Sequence, residues 1–148
     1  MKNDFALPMT MSFTIPGKPF GKERPRVNTT QYSVYTPPKT VQYEERVRAL
    51  YMAQGGRNFR DCYISIAITA FFKPPKATTR KQREAMRIGN LRPAIRPDAD
   101  NICKVIMDSL QGIAFENDKQ VIWTTVEKRY DDEPRVDVEI LAFERWDG

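Results

Sequence analysis

The sequence contains no histidine and only two cysteines among its 148 residues. Mechanisms that need an imidazole base, nucleophile or metal ligand are therefore excluded. Cys62 and Cys103 lie far apart and form no CxxC pair, which excludes a zinc ribbon or a dithiol redox site and fits a reducing compartment. Signatures of the types GxxxxGK[ST], GxGxxG and GxSxG are also missing, so we expect no organic cofactor.

Long apolar runs are missing as well. No stretch approaches the roughly 20 residues that a membrane helix needs, and residues 1–5 begin no apolar segment typical of a secretory signal. We therefore expect a cytoplasmic protein without membrane contacts. Its length favours a single domain over residues 1–148 with room for a sizeable core.

Charge is present in quantity and is unevenly distributed. The net charge is +5, but residues 1–97 hold 18 Lys and Arg against 6 Asp and Glu, whereas residues 98–148 hold 6 against 13. A basic body with acidic residues gathered elsewhere predicts a surface that binds a polyanion, beside an acidic or cation-binding site. A solvated basic face with an unrelated acidic tail explains the same distribution.

Hydrophobic periodicity predicts four strands and three helices. The strands cover residues 11–15, 63–72, 120–129 and 136–143, and the helices cover residues 40–54, 79–88 and 98–111. Residues 16–40 contain five prolines and read as a long basic loop or irregular arm. Because the order mixes hairpin and crossover connections, we predict one α+β domain, with a mixed β-sheet packed against about three helices.

A group of carboxylates is the strongest candidate for chemistry. Asp98 and Asp100 flank the start of the third helix, and Asp118 follows just before the next strand. If the connection folds back, the three carboxylates converge, and such oxygen ligands suit Mg²⁺ or Mn²⁺. Helix capping is the alternative for Asp98 and Asp100, because Asp is common at helix N-termini.

Two more charged residues follow on the same helix. Lys104 lies one turn after Asp100, and Asp108 lies one turn after Lys104. Lys104 can face the carboxylates and meet a phosphate oxygen or the attacking water. The alternative is an ordinary ladder of i, i+4 ion pairs, in which Asp108 is a structural partner of Lys104.

The motifs also carry a family resemblance. Residues 96–104, RPDADNICK, are similar to the central D-x-D-N-(L/I)-x-K signature of RusA-type Holliday junction resolvases. Residues 108–110, DSL, resemble the D-A-L that follows it, and residues 115–121, FENDKQV, resemble the family's aromatic-x-(D/N)-D-x-Q-V block. Residues 15–19, IPGKP, and the late Lys128 also fit the family, so the resemblance spans most of the chain.

The resemblance implies a homodimeric endonuclease that nicks four-way DNA junctions with Mg²⁺ during recombination and repair. Asp98, Asp100 and Asp118 match its catalytic, metal-binding acids, and Lys104 matches a lysine implicated in catalysis. Asn117 departs from the family pattern, since many relatives carry Asp there. The arm at residues 16–40 is also longer and richer in proline than in short members, so its DNA contacts do not transfer.

Basic residues supply the predicted DNA-binding surface through contacts with backbone phosphates. The candidates are Lys18, Lys22, Arg24, Arg26, Lys73, Lys76, Arg80, Lys81, Arg83 and Arg87. Phe20, Tyr32 and Tyr35 in the arm can stack on bases at the junction or simply pack. Two alternative functions stay open: a less selective nuclease for flaps or forks, and a DNA-binding module without catalysis.

Overall fold

The computed structural model describes residues 8–146 and 148. Residues 1–7, where no secretory signal is predicted, and Asp147 lie outside the described residues. The elements in chain order are β1 (Met9–Pro16), β2 (Arg26–Asn28), β3 (Ser33–Tyr35), α1 (Pro38–Ala53), β4 (Cys62–Phe72), α2 (Arg80–Arg87), α3 (Ala99–Leu110), β5 (Val121–Tyr130) and β6 (Arg135–Glu144).

The main sheet has four strands in the order β1-β6-β4-β5, and β2 and β3 form a separate two-stranded sheet. Strand β6 runs antiparallel to both β1 and β4, whereas β4 and β5 run parallel. Helices α2 and α3 lie in the crossover between those parallel strands, as the geometry of a parallel pair requires. The predicted α+β domain with a mixed sheet is therefore confirmed, including the number of helices.

One face of the sheet builds the core. Alternate residues of β4 are buried while Ala67 between them is exposed, which is the pattern of a sheet covered on one side. Helices α1 and α3 supply the cover through an apolar stripe on each helix. The buried stripe residues are Val47 and Tyr51 on α1, and Ile102, Val105, Ile106 and Leu110 on α3. No described helix is long and apolar enough to cross a membrane.

The ends of α2 and α3 follow the predicted signals. Thr79 and Gln82 form a reciprocal capping box at the start of α2. Beyond the C-terminus of α3, Gly112 adopts a φ of 90°, a left-handed conformation that glycine reaches without a Cβ penalty.

The arm is more ordered than the sequence predicts. Strands β2 and β3 form a short hairpin within it, and α1 already begins at Pro38 rather than at residue 40. Tyr32 is 91% exposed near the tip of the hairpin. Phe20 instead stacks on Tyr43 with ring centroids 5.0 Å apart, and burial raises the pKa of Tyr43 to about 12. The packing alternative therefore holds for Phe20.

Candidate active site

A cavity of about 410 Å³ opens between α3 and the first half of β5. Thr124 and Val126 pair in register with Ile66 and Ile68, so their side chains lie on the face of the sheet that α3 covers. The cavity is lined by Ala99, Asp100, Cys103, Lys104, Met107, Asp108, Asp118, Thr124 and Val126. Two of the three predicted acids and the predicted lysine therefore share one concave site.

The third predicted acid lies beside this cavity. Asp98 is the N-cap residue of α3, but its side chain accepts no capping hydrogen bond. Asp98 lines a neighbouring groove instead. Asp100 accepts a hydrogen bond from the backbone N–H of Asn101 at 3.0 Å, in the first turn, where the helix dipole stabilises negative charge. Hydrogen-bonded capping therefore does not explain the presence of Asp98.

Gln120 supports Asp118, a role that the sequence reasoning missed. Asp118 begins a one-turn 3₁₀ helix that ends at Gln120, whose side chain is buried. The Gln120 Oε1 accepts hydrogen bonds from the backbone N–H groups of Glu116 and Asn117 at 2.8 and 3.2 Å.

On its other side the same amide reaches a second segment of the chain. The Gln120 Nε2 donates to the carbonyl oxygens of Phe59 and Cys62 at 2.9 and 3.0 Å. One buried amide thus joins the turn that presents Asp118 to the chain entering β4. The sequence signals for this role are the glutamine of the D-x-Q-V block and its position directly before a strand, neither of which specifies the partners of its side chain.

Asp108 pairs differently from the predicted ladder. Its Oδ2 lies 3.2 Å from the Nζ of Lys22 in the arm, so the partner expected for Lys104 is engaged elsewhere. Lys104 lines the cavity together with Asp100 and Asp118. The position of Lys104 beside two carboxylates, with Asp108 engaged elsewhere, suits a lysine that binds an incoming anion.

The cavity wall also contains a cysteine, whose surroundings favour the protonated thiol. Burial raises the pKa of the Cys103 thiol and the nearby Asp100 raises it further, although a hydrogen bond with Thr124 opposes the shift. A thiol with a raised pKa stays protonated at neutral pH and is unreactive. The chemistry of the site therefore rests on carboxylates and an ammonium group.

A basic groove of about 730 Å³ adjoins the start of α3. Lys18 and Arg24 from the arm line it together with Arg96 and Asp98. Arg96 was absent from the predicted DNA-binding residues, although only Pro97 separates it from the D-x-D-N signature. Lys22, a predicted DNA contact, also lines the groove, but its ammonium group is engaged by Asp108 and Glu44. Arg26 lies on β2 with its guanidinium 3.6 Å from Glu23.

The remaining predicted cations lie near the opposite end of β5. Arg129 of β5 donates to the carbonyl of Arg87 on α2, so α2 sits at the far end of this ten-residue strand. Because Asp118 shares its cavity with Val126, this end lies only a few residues, at about 3.3 Å each, beyond the cavity along β5. Of the helix cations, Arg83 and Arg87 are engaged by Asp132 and Glu84, respectively. The exposed cations of this region are Lys73, Lys76, Arg80, Lys81, Arg83 and Arg87.

The donor set around the cavity fits a hard divalent cation. Within residues 8–146 and 148, no group of three or more acidic or cysteine side chains is arranged to hold a metal ion. Mg²⁺ does not need one, because it usually takes one or two carboxylates together with water and substrate phosphates. Asp100 and Asp118 supply two such carboxylates at one cavity.

Comparison with known proteins agrees with the motifs and the geometry. The family described as Endodeoxyribonuclease RusA matches residues 16–141, which is most of the chain. The chain belongs to the RusA family. Its resemblance to RusA-type enzymes is thereby confirmed, and family membership identifies the protein as a nuclease.

A bacterial relative matches most of the chain. The chain is 29% identical over 134 residues to the uncharacterized protein YqaN of Bacillus subtilis (strain 168). The match covers 88% of this chain and 94% of YqaN. The RusA match includes the arm, the candidate cavity and strands β4 and β5.

Proposed function

We propose that this RusA-family protein is a structure-specific endonuclease that resolves four-way DNA junctions by paired symmetric nicks in recombination and repair. The observation that carries the proposal is the joint placement of Asp100, Lys104 and Asp118 in one cavity, with the groove of Lys18, Arg24 and Arg96 adjoining it. A backbone held in the groove would present a phosphodiester to the acidic cavity. The predicted location of such an enzyme is the cytoplasm.

The basic groove supplies the affinity in this mechanism. Its cations neutralise backbone phosphates and release condensed counterions, so binding is strong at low salt and largely independent of sequence. The carboxylate of Asp98 lies among those cations and lowers the local positive potential. We therefore expect the scissile strand to approach from the groove and turn into the cavity beside the start of α3.

Lys104 and the acids act on the phosphodiester itself. The Lys104 ammonium lowers the free energy of the transition state by facing a non-bridging phosphate oxygen, where negative charge increases. Asp100 and Asp118, with Asp98 from the adjoining groove, would hold Mg²⁺, or Mn²⁺ in its place. The cation supplies an activated water and stabilises the leaving oxygen when it is bound. No histidine is needed for this chemistry.

A homodimer follows from the proposed substrate. A four-way junction has two-fold symmetry, and its resolution needs two nicks. An isologous pair of chains presents two equivalent cavities, which matches that symmetry. We therefore include a second copy of the chain and branched DNA among the proposed partners.

The test compares three labelled substrates with and without Mg²⁺: a four-way junction, a flap and a linear duplex. Paired symmetric nicks restricted to the junction support the proposal. Cutting of every branched form would replace it with a less selective branched-DNA nuclease. Binding without cleavage in Mg²⁺ or Mn²⁺ would leave a DNA-binding module and overturn the enzymatic part.

A further inference from the structure

Lys22 points into the protein although it lies in the basic arm. Its Nζ is 2.8 Å from Oε1 of Glu44 on α1 and 3.2 Å from Oδ2 of Asp108 on α3. The Lys22 side chain is only 16% exposed, and that of Glu44 only 11%. One ammonium group thus neutralises carboxylates from two helices. Burial opposes its charge, but these two hydrogen bonds outweigh burial and raise the pKa of Lys22.

The backbone around Lys22 is anchored at the start of α3. The N–H of Lys22 donates to the carbonyl oxygen of Asn101 at 2.9 Å. Gly21 lies so close to the helix start that a Cβ at this position would come within 2.6 Å of the Cβ of Pro97. Only a residue without a side chain allows the arm to approach α3 this closely. The base of the arm is therefore docked beside the D-x-D-N segment.

Arg48 on α1 adds a second cation to the contacts of Glu44. The Arg48 Nε donates to the carbonyl of Ser109 at 3.0 Å, and its Nη2 lies 3.7 Å from Oε2 of Glu44. Glu44 is therefore shared by Lys22 and Arg48, which links the arm, α1 and the end of α3. Asp108, the second carboxylate that Lys22 contacts, lines the candidate cavity. Arm docking and cavity geometry thus depend on the same charges.

We propose that Lys22 is a positioning residue that locks the arm to α3, so that the basic groove and the acidic cavity form one rigid unit. A direct contact with DNA is disfavoured, because Lys22 would have to leave two carboxylates uncompensated next to an incoming phosphate. The effect on cleavage rests on the proposed nuclease function. The docking of the arm does not, and it is measurable on the protein alone.

The first test is hydrogen exchange of the full-length Lys22→Met variant without DNA. We expect the amides of residues 20–28, including the one that bonds to Asn101, to exchange at least about tenfold faster than in the wild type. Lys39→Met is the matched control, since it removes the same charge from an exposed position at the end of the arm. Wild-type exchange in Lys22→Met would overturn the proposal.

The second test separates positioning from DNA contact. In single-turnover cleavage at saturating protein, Lys22→Met should be at least about tenfold slower, while the salt dependence of its junction affinity stays near wild type because no phosphate contact is lost. Lys18→Met should instead weaken binding and reduce the salt slope by about one. If Lys22→Met behaves like Lys18→Met and its exchange is unchanged, Lys22 is a DNA contact and the proposal is wrong.

A double variant guards against a general loss of folding. Glu44→Gln in the Lys22→Met background removes the more buried of the two carboxylates that lose the ammonium group, so it should recover thermal stability but not arm protection. Recovery of arm protection in the double variant would contradict the proposal. If the wild-type protein cleaves no DNA but Lys22→Met still speeds exchange, the nuclease function fails and arm docking stands.

Discussion

Replacing Gln120 with leucine tests how Asp118 is held. The variant keeps the approximate side-chain volume but deletes four hydrogen bonds, two accepted from N–H groups and two donated to carbonyls. The Gln120 side chain is buried, so its partners lose bonds that water replaces only in part. At about 1 kcal/mol for each of the four bonds, the unfolding free energy should fall by about 3–5 kcal/mol.

Urea denaturation followed by circular dichroism measures this loss directly. For a chain of this length the melting temperature should fall by about 10 °C. Asp118→Asn is the matched control, because Asp118 is exposed and its replacement should leave stability within about 0.5 kcal/mol of the wild type. A Gln120→Leu variant that loses less than about 1 kcal/mol would refute the buried-amide account of this turn.

Four further variants address chemistry, binding and local stability. Asp118→Asn should nearly abolish junction cleavage in Mg²⁺. Binding in a mobility-shift assay should persist or tighten, because a carboxylate facing phosphate is neutralised. Wild-type nicking by this variant would remove Asp118 from the site. Lys104→Ala should slow single-turnover cleavage by about 100-fold with an unchanged melting temperature; a near-normal rate would make Lys104 structural. Arg80→Glu with Lys81→Glu should weaken junction binding and flatten its salt dependence, and unchanged affinity would exclude α2 from the interface. Thr79→Ala should cost about 1 kcal/mol in thermal unfolding through loss of the capping box, and no loss would contradict that cap.

Local patterns in the sequence determine most of the fold. The alternation of Ile64, Ile66 and Ile68 predicts β4, and the Thr79 capping signal predicts the start of α2. The hairpin in the arm escaped prediction because β2 and β3 have three residues each, too few to show a period. Strand order also escapes local reasoning, because it depends on contacts between residues that are distant along the chain.

The candidate site also contains features that local sequence patterns predict and features that they do not. The spacing of Asp100 and Lys104 on one helix predicts that they share a face, and the structure brings both to the cavity. The long-range partners were not predictable: the charge of Lys22 indicates a DNA contact until the fold sets it between Glu44 and Asp108. The convergence of Asp98 with Asp100 stays a prediction: Asp100 lines the cavity, and Asp98 lines the adjoining groove.

The pairing of β1 with β6 has a consequence for the order in which the protein folds. Residues 9–16 find their sheet partners only at residues 135–142, which are distant along the chain. Such non-local pairing slows folding, because the entropy of closing a long loop is lost before the contacts form. During synthesis, β1 cannot pair with β6 until β6 has left the ribosome. The basic arm that follows β1 docks on α3, so it remains undocked until α3 has been synthesised.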